Sequence, residues 1–285
     1  MDKHQNPKRR RKIYTAVMGI CILIMIAAGV YAVNDIFWYH NAKQASEVVT
    51  RKVVRTVKTR QRIDKNLLRR IDFKALWQMN TDAKRWLFVP QTKINAPVLD
   101  EPKVGSYFYS LRGLNKRYNY CGSFLVPKAP SDSHGHRVDD GHLFILGHYM
   151  DGSRDEWQFS KLPSRWGTKA GANKYPYVYL YYPNHAERWR VWMALDAKGS
   201  DMIYDIPTKI GSNEYATMLT HAKKLARYRQ NLHVTKKMPT LFMSTCNRSK
   251  TGAWIRFVLV SVLDAKYDYQ SQTYTSETLK LERKD

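Results

Sequence analysis

The sequence predicts a mainly β domain with peripheral helices, tethered through one N-terminal helix in a membrane. Three features carry this reading: an uncharged apolar run at residues 13–33, a series of short strand-like runs broken by Pro, Gly, Asn and Asp beyond Trp86, and one later stretch with helical periodicity.

The apolar run, IYTAVMGICILIMIAAGVYAV, has the length a bilayer-crossing helix needs, about 20 residues. It is too long for the apolar core of a cleavable signal peptide. The next residues, Asn34-Asp35 and then Phe37-Trp38-Tyr39, resemble an interfacial aromatic belt rather than a small-residue cleavage site. Residues 13–33 therefore read as an uncleaved signal anchor. Six Lys or Arg lie between Lys3 and Lys12, and positive flanks stay cytoplasmic, so residues 1–12 are a basic cytoplasmic tail. The expected protein crosses the plasma membrane once, with its bulk outside the cell.

Residues 34–72 are expected to be a basic amphipathic helical segment. From Lys43 to Lys74 there are eleven Lys or Arg, three acids and no Gly or Pro, and Val49, Val53, Val57, Ile63, Leu67 and Ile71 approximate one helical stripe. A stripe of that kind usually packs on the domain next to it in the chain; a stalk or a helix lying on an anionic surface are the alternatives. Residues 73–270 form the expected main domain, and residues 271–285, mostly polar, a frayed tail.

The formal net charge is +24. So basic a chain first suggests nucleic acid, which the extracellular topology excludes. Anionic lipid heads or phosphate-bearing wall polymers would be drawn by the same electrostatics, and a solvated basic surface without a dedicated partner is the other reading. Of three cysteines, Cys21 lies in the membrane run, so only Cys121 and Cys246 remain, too few for a disulfide framework. One bridge between them competes with a working thiol at Cys246.

Beyond Trp86, runs such as WLFV, CGSFLV, HLFILG, YVYLYY, RVWMAL, TLFMST and WIRFVLVSVL predict an antiparallel barrel or sandwich. Residues 212–228 interrupt them. Tyr215, Met218, Leu219, Ala222 and Leu225 keep helical spacing, which predicts one helix between the sixth and seventh strands, although its Ser212 cap lacks the usual Glu three residues on.

The stretch MSTCNRSKTGAWIRF contains the candidate chemistry. A period of two puts Phe242, Ser244 and Cys246 on one face of a strand, and Arg256, Val258, Val260 and Val262 on one face of the next. The short connection between them suits an antiparallel hairpin, so the thiol can face the guanidinium. Arginine keeps its charge in proteins and is costly on an apolar face unless an anion meets it. An oxyanion developing during attack by a thiolate would be such an anion, and positive surroundings favour the thiolate. The alternative is a surface arginine on an edge strand beside an inert core thiol. Acyl transfer from an amide also needs an acid for the departing nitrogen. His148 is the best placed, just after the apolar run HLFILG, where Gly147 would let the chain turn sharply. His134, His136 and His142, with Asp139 and Asp140, crowd a polar loop, but their spacing fits no metal site and reads as solvated loop.

These residues resemble a class B sortase, a membrane-anchored cysteine transpeptidase of Gram-positive bacteria. LGHYMDGS at residues 146–153 is similar to the family's histidine motif and FMSTC at 242–246 to its cysteine motif, with Arg256 ten positions on; WLFVPQTKINAPVL and CGSFLV resemble its early strands. The resemblance covers residues 73–263. It implies an eight-stranded sortase-type β-barrel preceded by helices, with Cys246 as nucleophile, His148 as acid and then base, Arg256 on the oxyanion or substrate backbone, and Ser244 lining the substrate groove. It further implies secreted proteins with a C-terminal sorting signal as substrates, cleaved after Thr, and an amine of a peptidoglycan precursor or a pilin as acceptor. It implies no cofactor and no metal. The chain departs from the pattern at Tyr149, Phe242, Met243 and Arg248, the last standing where several members carry an acid, and the Trp-rich loop at residues 154–172 suggests altered motif recognition. Two other readings stand beside it: a wall-crosslinking L,D-transpeptidase, whose histidine and cysteine lie much closer in sequence, and a non-enzymatic wall-binding protein in which Cys246 is incidental.

Overall fold

The computed structural model describes residues 7–56, 63–128, 142–150, 158–204, 209–248 and 254–282. The chain divides into two compact units, Met1–Ala45 and Ser46–Asp285.

The first helix, α1, runs Pro7–Val53, and its stretch Arg11–Asn41 is long and apolar enough to cross a membrane. Leu23, Ile24, Met25 and Ile26 are consecutive and each 58 to 66% exposed. Successive helical residues point in different directions, so this helix is apolar all round, as a lipid-facing span is.

After α1 the backbone departs from the expected amphipathic helix. Strand β1 (Val54–Thr56) pairs antiparallel with β2 (Arg69–Ile71). The stripe is nonetheless buried where it was expected to pack, with Val53, Leu67 and Ile71 no more than 3% exposed. Branching at Cβ in Val54 and Thr56 favours extended backbone. The barrel's own tyrosines then hold the segment: Tyr181 donates to the Asn66 carbonyl at 2.8 Å and Tyr269 to the Arg69 carbonyl at 2.6 Å. Helix α2 (Phe73–Met79) comes next, capped by Asp72 accepting from Ala75 N–H at 3.0 Å.

The chain then builds ten further strands: β3 (Ala83–Phe88), β4 (Asn95–Asp100), β5 (Phe124–Val126), β6 (His142–Leu146), β7 (Tyr177–Tyr181), β8 (His185–Ala197), β9 (Ala226–Arg229), β10 (Thr240–Arg248), β11 (Trp254–Asp268) and β12 (Tyr274–Ser276). Their order is β12-β11-β10-β6-β5-β4-β3-β7-β8-β9, and β8 also pairs with β11. Eight strands thereby close into a barrel, with β9 and β12 attached outside the ring. The pairing is not wholly antiparallel, as the strand pattern alone suggested: β4 with β5 and β6 with β10 run parallel. Parallel neighbours need a long crossover, and the chain supplies one by building β7, β8 and the later helices between β6 and β10.

Inside the barrel Leu87, Val98, Ile145, Leu241, Met243, Phe257 and Leu259 form one apolar cluster. Phe159, Leu162 and Trp166 join it, each fully buried. The described part of the Trp-rich loop folds as α3 (Leu162–Trp166) and α4 (Lys169–Lys174) and sends these three side chains into the core. On the opposite face of β10 and β11, Phe242, Val258, Val260 and Val262 meet Tyr215, Met218, Leu219 and Ala222 of helix α5 (Asn213–Lys224). Ser212 caps α5 without a glutamate partner, accepting from Tyr215 N–H at 3.1 Å. The helix is shorter than its periodicity implied, because Ala226–Arg229 leaves it to pair with β8 as β9. The expected frayed tail is also ordered through Glu282. β12 pairs with β11, and α6 (Thr278–Leu281) buries Leu281 completely.

Candidate active site

Two ladders bring the three sequence-predicted positions together. In the antiparallel β10–β11 ladder Cys246 is the direct partner of Arg256, following the pairs Phe242↔Val260 and Ser244↔Val258 on the same face. Directly opposed residues in such a ladder have Cα atoms about 5 Å apart. In the parallel β6–β10 ladder Ser244 is the partner of Leu146, and Gly147 N–H donates to the Ser244 carbonyl at 3.1 Å. Two residues beyond that last pair lie His148 on one side and Cys246 on the other. Position 246 therefore has Arg256 opposite it on one neighbouring strand and His148 just past the end of the other. Only the parallel pairing of β6 with β10 produces this arrangement.

Gly147 is required by crowding rather than by a left-handed turn. A Cβ there would lie 2.6 Å from the Phe159 ring and 2.9 Å from the Phe124 ring, and the described glycines with positive φ are Gly105, Gly122 and Gly211. The chain can leave β6 at this point only because no side chain separates it from those two rings.

His148 is held at both its backbone and its ring. Its N–H donates to Gln158 Oε1 at 2.7 Å, and its carbonyl accepts from Phe159 N–H at 3.2 Å. Gln158 is 6% exposed, adopts a left-handed φ of 48°, and donates its amide N–H to the Cys121 carbonyl. A non-glycine residue in that region costs about 1 to 2 kcal/mol, which a buried two-way amide clamp offsets. On the ring, Nε2 lies 2.6 Å from the Ser110 carbonyl oxygen. A carbonyl only accepts, so Nε2 carries the proton and Nδ1 is left to exchange one.

Arg256 is half-buried and paired across the sheet with Ala197 at the end of β8. Its Nε lies 3.9 Å from the point a Cβ at Gly199 would occupy, so the side chain runs along the turn after β8. Ser244 is 1% exposed, and its hydroxyl is 2.9 Å from the Tyr204 hydroxyl. Tyr204 in turn packs on Phe144, ring centroids 5.1 Å apart. Cys121 is a buried thiol that takes part in no disulfide, so no Cys121–Cys246 bridge forms. His142, the described member of the loop histidines, is buried on β6 with Nδ1 3.3 Å from Thr240 Oγ1; His134, His136, Asp139 and Asp140 lie outside the described residues.

No protein-family model matches the chain and no curated protein matches it. Solved structures do match. Sortase B from Clostridium perfringens aligns with a TM-score of 0.57 at 21% identity, over 67% of this chain and 99% of that one. Sortase B from Bacillus anthracis in complex with AAEK1 gives 0.61 at 17% identity, over 80% and 98%. A Staphylococcus aureus sortase B–substrate complex gives 0.56 at 18% identity, over 67% and 83%. The fold is that of class B sortases.

Within that sortase fold, two partners of His148 carry no mark in the sequence. Gln158 is a glutamine near a tryptophan-rich run, and Ser110 contributes a backbone atom that any residue type would supply. The left-handed backbone at Gln158 is the one feature that sets it apart, and it emerges only on folding.

Proposed function

We propose that the chain is a membrane-anchored cysteine transpeptidase that cleaves a C-terminal sorting motif of secreted proteins after Thr. The acyl group then passes to an amine of a cell-wall precursor or a pilin. The observation that supports this best is the pair of ladders that, in a sortase B fold, sets positions 246 and 256 opposite each other and position 148 two residues past the end of the strand beside them.

In this reading the Cys246 thiolate attacks the carbonyl after Thr, and Arg256 meets the oxyanion that develops. One well-aimed donor of this kind contributes roughly 3 kcal/mol elsewhere. The C–N bond then breaks as His148 passes to the departing amine, from Nδ1, the proton it took from the Cys246 thiol, leaving a thioester on Cys246. The acceptor amine attacks that thioester, His148 takes up the amine's proton, and the thiolate departs unchanged. Ser244 contributes the floor beneath the groove, its hydroxyl already engaged by Tyr204. α1 tethers the domain, with residues 1–12 in the cytoplasm and the catalytic barrel outside, facing wall and secreted protein rather than nucleic acid.

Mixing the full-length chain in detergent with a library of peptides and a glycine-peptide amine tests this proposal. Mass spectrometry is expected to find peptide joined to the amine with loss of the residues after Thr, and no such product from Cys246→Ala. A ligated product that Cys246→Ala still forms, or none from the intact chain across the library, would refute the transpeptidase.

A further inference from the structure

The Ser110 carbonyl that receives His148 Nε2 sits in a 3-10 turn, Phe108–Leu111, on the surface beside the site. Turns of that length do not hold a carbonyl in place unaided. Here a buried carboxylate does so. Glu101 is 2% exposed, and its two oxygens are both committed to the turn: Oε1 accepts from Tyr109 N–H at 2.9 Å, and Oε2 accepts from Phe108 N–H and from the Ser106 hydroxyl, each at 2.8 Å. Glu101 itself is fixed to the barrel, its N–H donating to the Val126 carbonyl at 2.9 Å.

The turn is gripped from two further sides. Tyr109, fully buried, donates its hydroxyl to Asp82 at 2.5 Å and accepts from Asn80 at 2.9 Å. Gly122, at a left-handed φ of 58°, passes so close that a Cβ there would lie 2.1 Å from the Ser110 oxygen and 3.0 Å from the Tyr109 oxygen. The direction left to the Ser110 carbonyl is toward the imidazole.

We propose that Glu101 is the positioning residue for His148: it orients the histidine indirectly, by fixing the 3-10 turn whose Ser110 carbonyl pins the ring in its Nε2–H form. This rests on the proposed role of His148 as acid and base. It supplies what the missing acid at position 248 leaves open, with the difference that the group meeting the ring is neutral. A carboxylate in direct contact would favour the charged imidazolium. A carbonyl fixes tautomer and direction without setting a fixed charge against the ring, which suits a group acting as acid and then base.

The test is histidine tautomer by nitrogen-15 NMR of the full-length chain labelled at histidine, with His148→Ala assigning the signal. The unmutated chain is expected to show His148 protonated at Nε2. In Glu101→Gln, where an amide N–H replaces one acceptor oxygen, and in Gly122→Ala, which displaces the Ser110 carbonyl with Glu101 intact, that signature gives way to a mixture. Turnover of the peptide selected from the library falls about ten- to a hundred-fold, as misplacement of a catalytic group does, with KM changed less than about twofold because substrate contacts are untouched. Glu101→Asp, which keeps the charge, restores part of the loss.

An Nδ1–H ring in the unmutated chain overturns the proposal even if neither variant folds. So does an unchanged Nε2–H signature in a folded Glu101→Gln or Gly122→Ala. The function itself fails separately: full transfer by His148→Ala removes the acid-base role while leaving the tautomer result standing.

Discussion

Two polar clusters stand along β11, and they are built on opposite principles. Toward the far end of the strand, Asp264 is fully buried and accepts from Arg188 Nε at 2.6 Å and from the Thr278 hydroxyl at 2.8 Å. Arg188 also reaches Asp64 at 3.2 Å, and Asp64 accepts from the Tyr179 hydroxyl at 2.5 Å. Fixed charge is answered by fixed charge, joining the segment after α1 to the barrel and to α6. At the start of β11, around the Cys246↔Arg256 pair, His148 is instead held by a carbonyl and a side-chain amide. Neutral partners set direction without fixing charge. The first cluster is locked by paired charges, whereas the second, the site of the proposed acyl transfer, is set by neutral groups.

The same contrast separates the histidines. His185 lies 3.1 Å from Glu187, and His221 lies 3.1 Å from Asp201, both carboxylates. Those two rings brace surface segments, whereas the ring of His148 meets a backbone carbonyl.

The contrast orders the expected effects on acyl transfer. Cys246→Ala abolishes it with the melting temperature unchanged, since position 246 lies near the end of β10 and the strand's core contacts, at Leu241, Phe242 and Met243, lie earlier; a residual rate above background in the ligation assay would contradict this. His148→Ala and Arg256→Ala each lose about a hundred-fold or more in kcat/KM while circular dichroism stays native. An Arg256→Ala chain with full activity would leave the arginine with no part in the chemistry. Gln158→Ala removes the clamp on the His148 backbone and lowers kcat by about ten-fold. Ser244→Ala, which loses only the Tyr204 hydrogen bond, is worth about 1 kcal/mol in stability and changes kcat/KM by less than about threefold. Arg188→Met sharpens the comparison from the other cluster. It leaves two carboxylates unanswered and destabilises the fold by about 3 to 5 kcal/mol, lowering the melting temperature by about 10 °C, yet activity per folded molecule stays within about twofold. Equal losses of activity and stability in Arg188→Met would erase the distinction between the clusters.

The features legible in the sequence were those that side-chain periodicity and motif spacing record. The strands around WLFV, YVYLYY, TLFMST and WIRFVLVSVL alternate clearly enough to predict a barrel, and the nine residues from Asn247 to Ile255 already oppose positions 246 and 256. Partner direction was not recorded. HLFILG reads the same whether its neighbour runs parallel or antiparallel, so the pairing that brings position 148 beside 246 is visible only in the fold. Short pieces decided by tertiary contact were missed for the same reason. Residues 69–71 continue a helical stripe but are drawn into a strand opposite Val54–Thr56, and 274–276 are polar yet pair with β11 because its edge is available there. Ser110, Gln158 and Glu101 act through backbone atoms or on them, with Gln158 reaching a carbonyl 37 residues away, and such contacts leave no spacing pattern.

The most direct measurement is the mass of Cys246 after brief exposure of the full-length chain to the peptide library without any acceptor amine. A thioester adduct on the tryptic peptide containing Cys246, equal to a library peptide shortened after Thr and released by hydroxylamine, is the predicted result. An unmodified Cys246 alongside cleaved peptide in solution would mean that the chemistry, if any, proceeds elsewhere on the molecule.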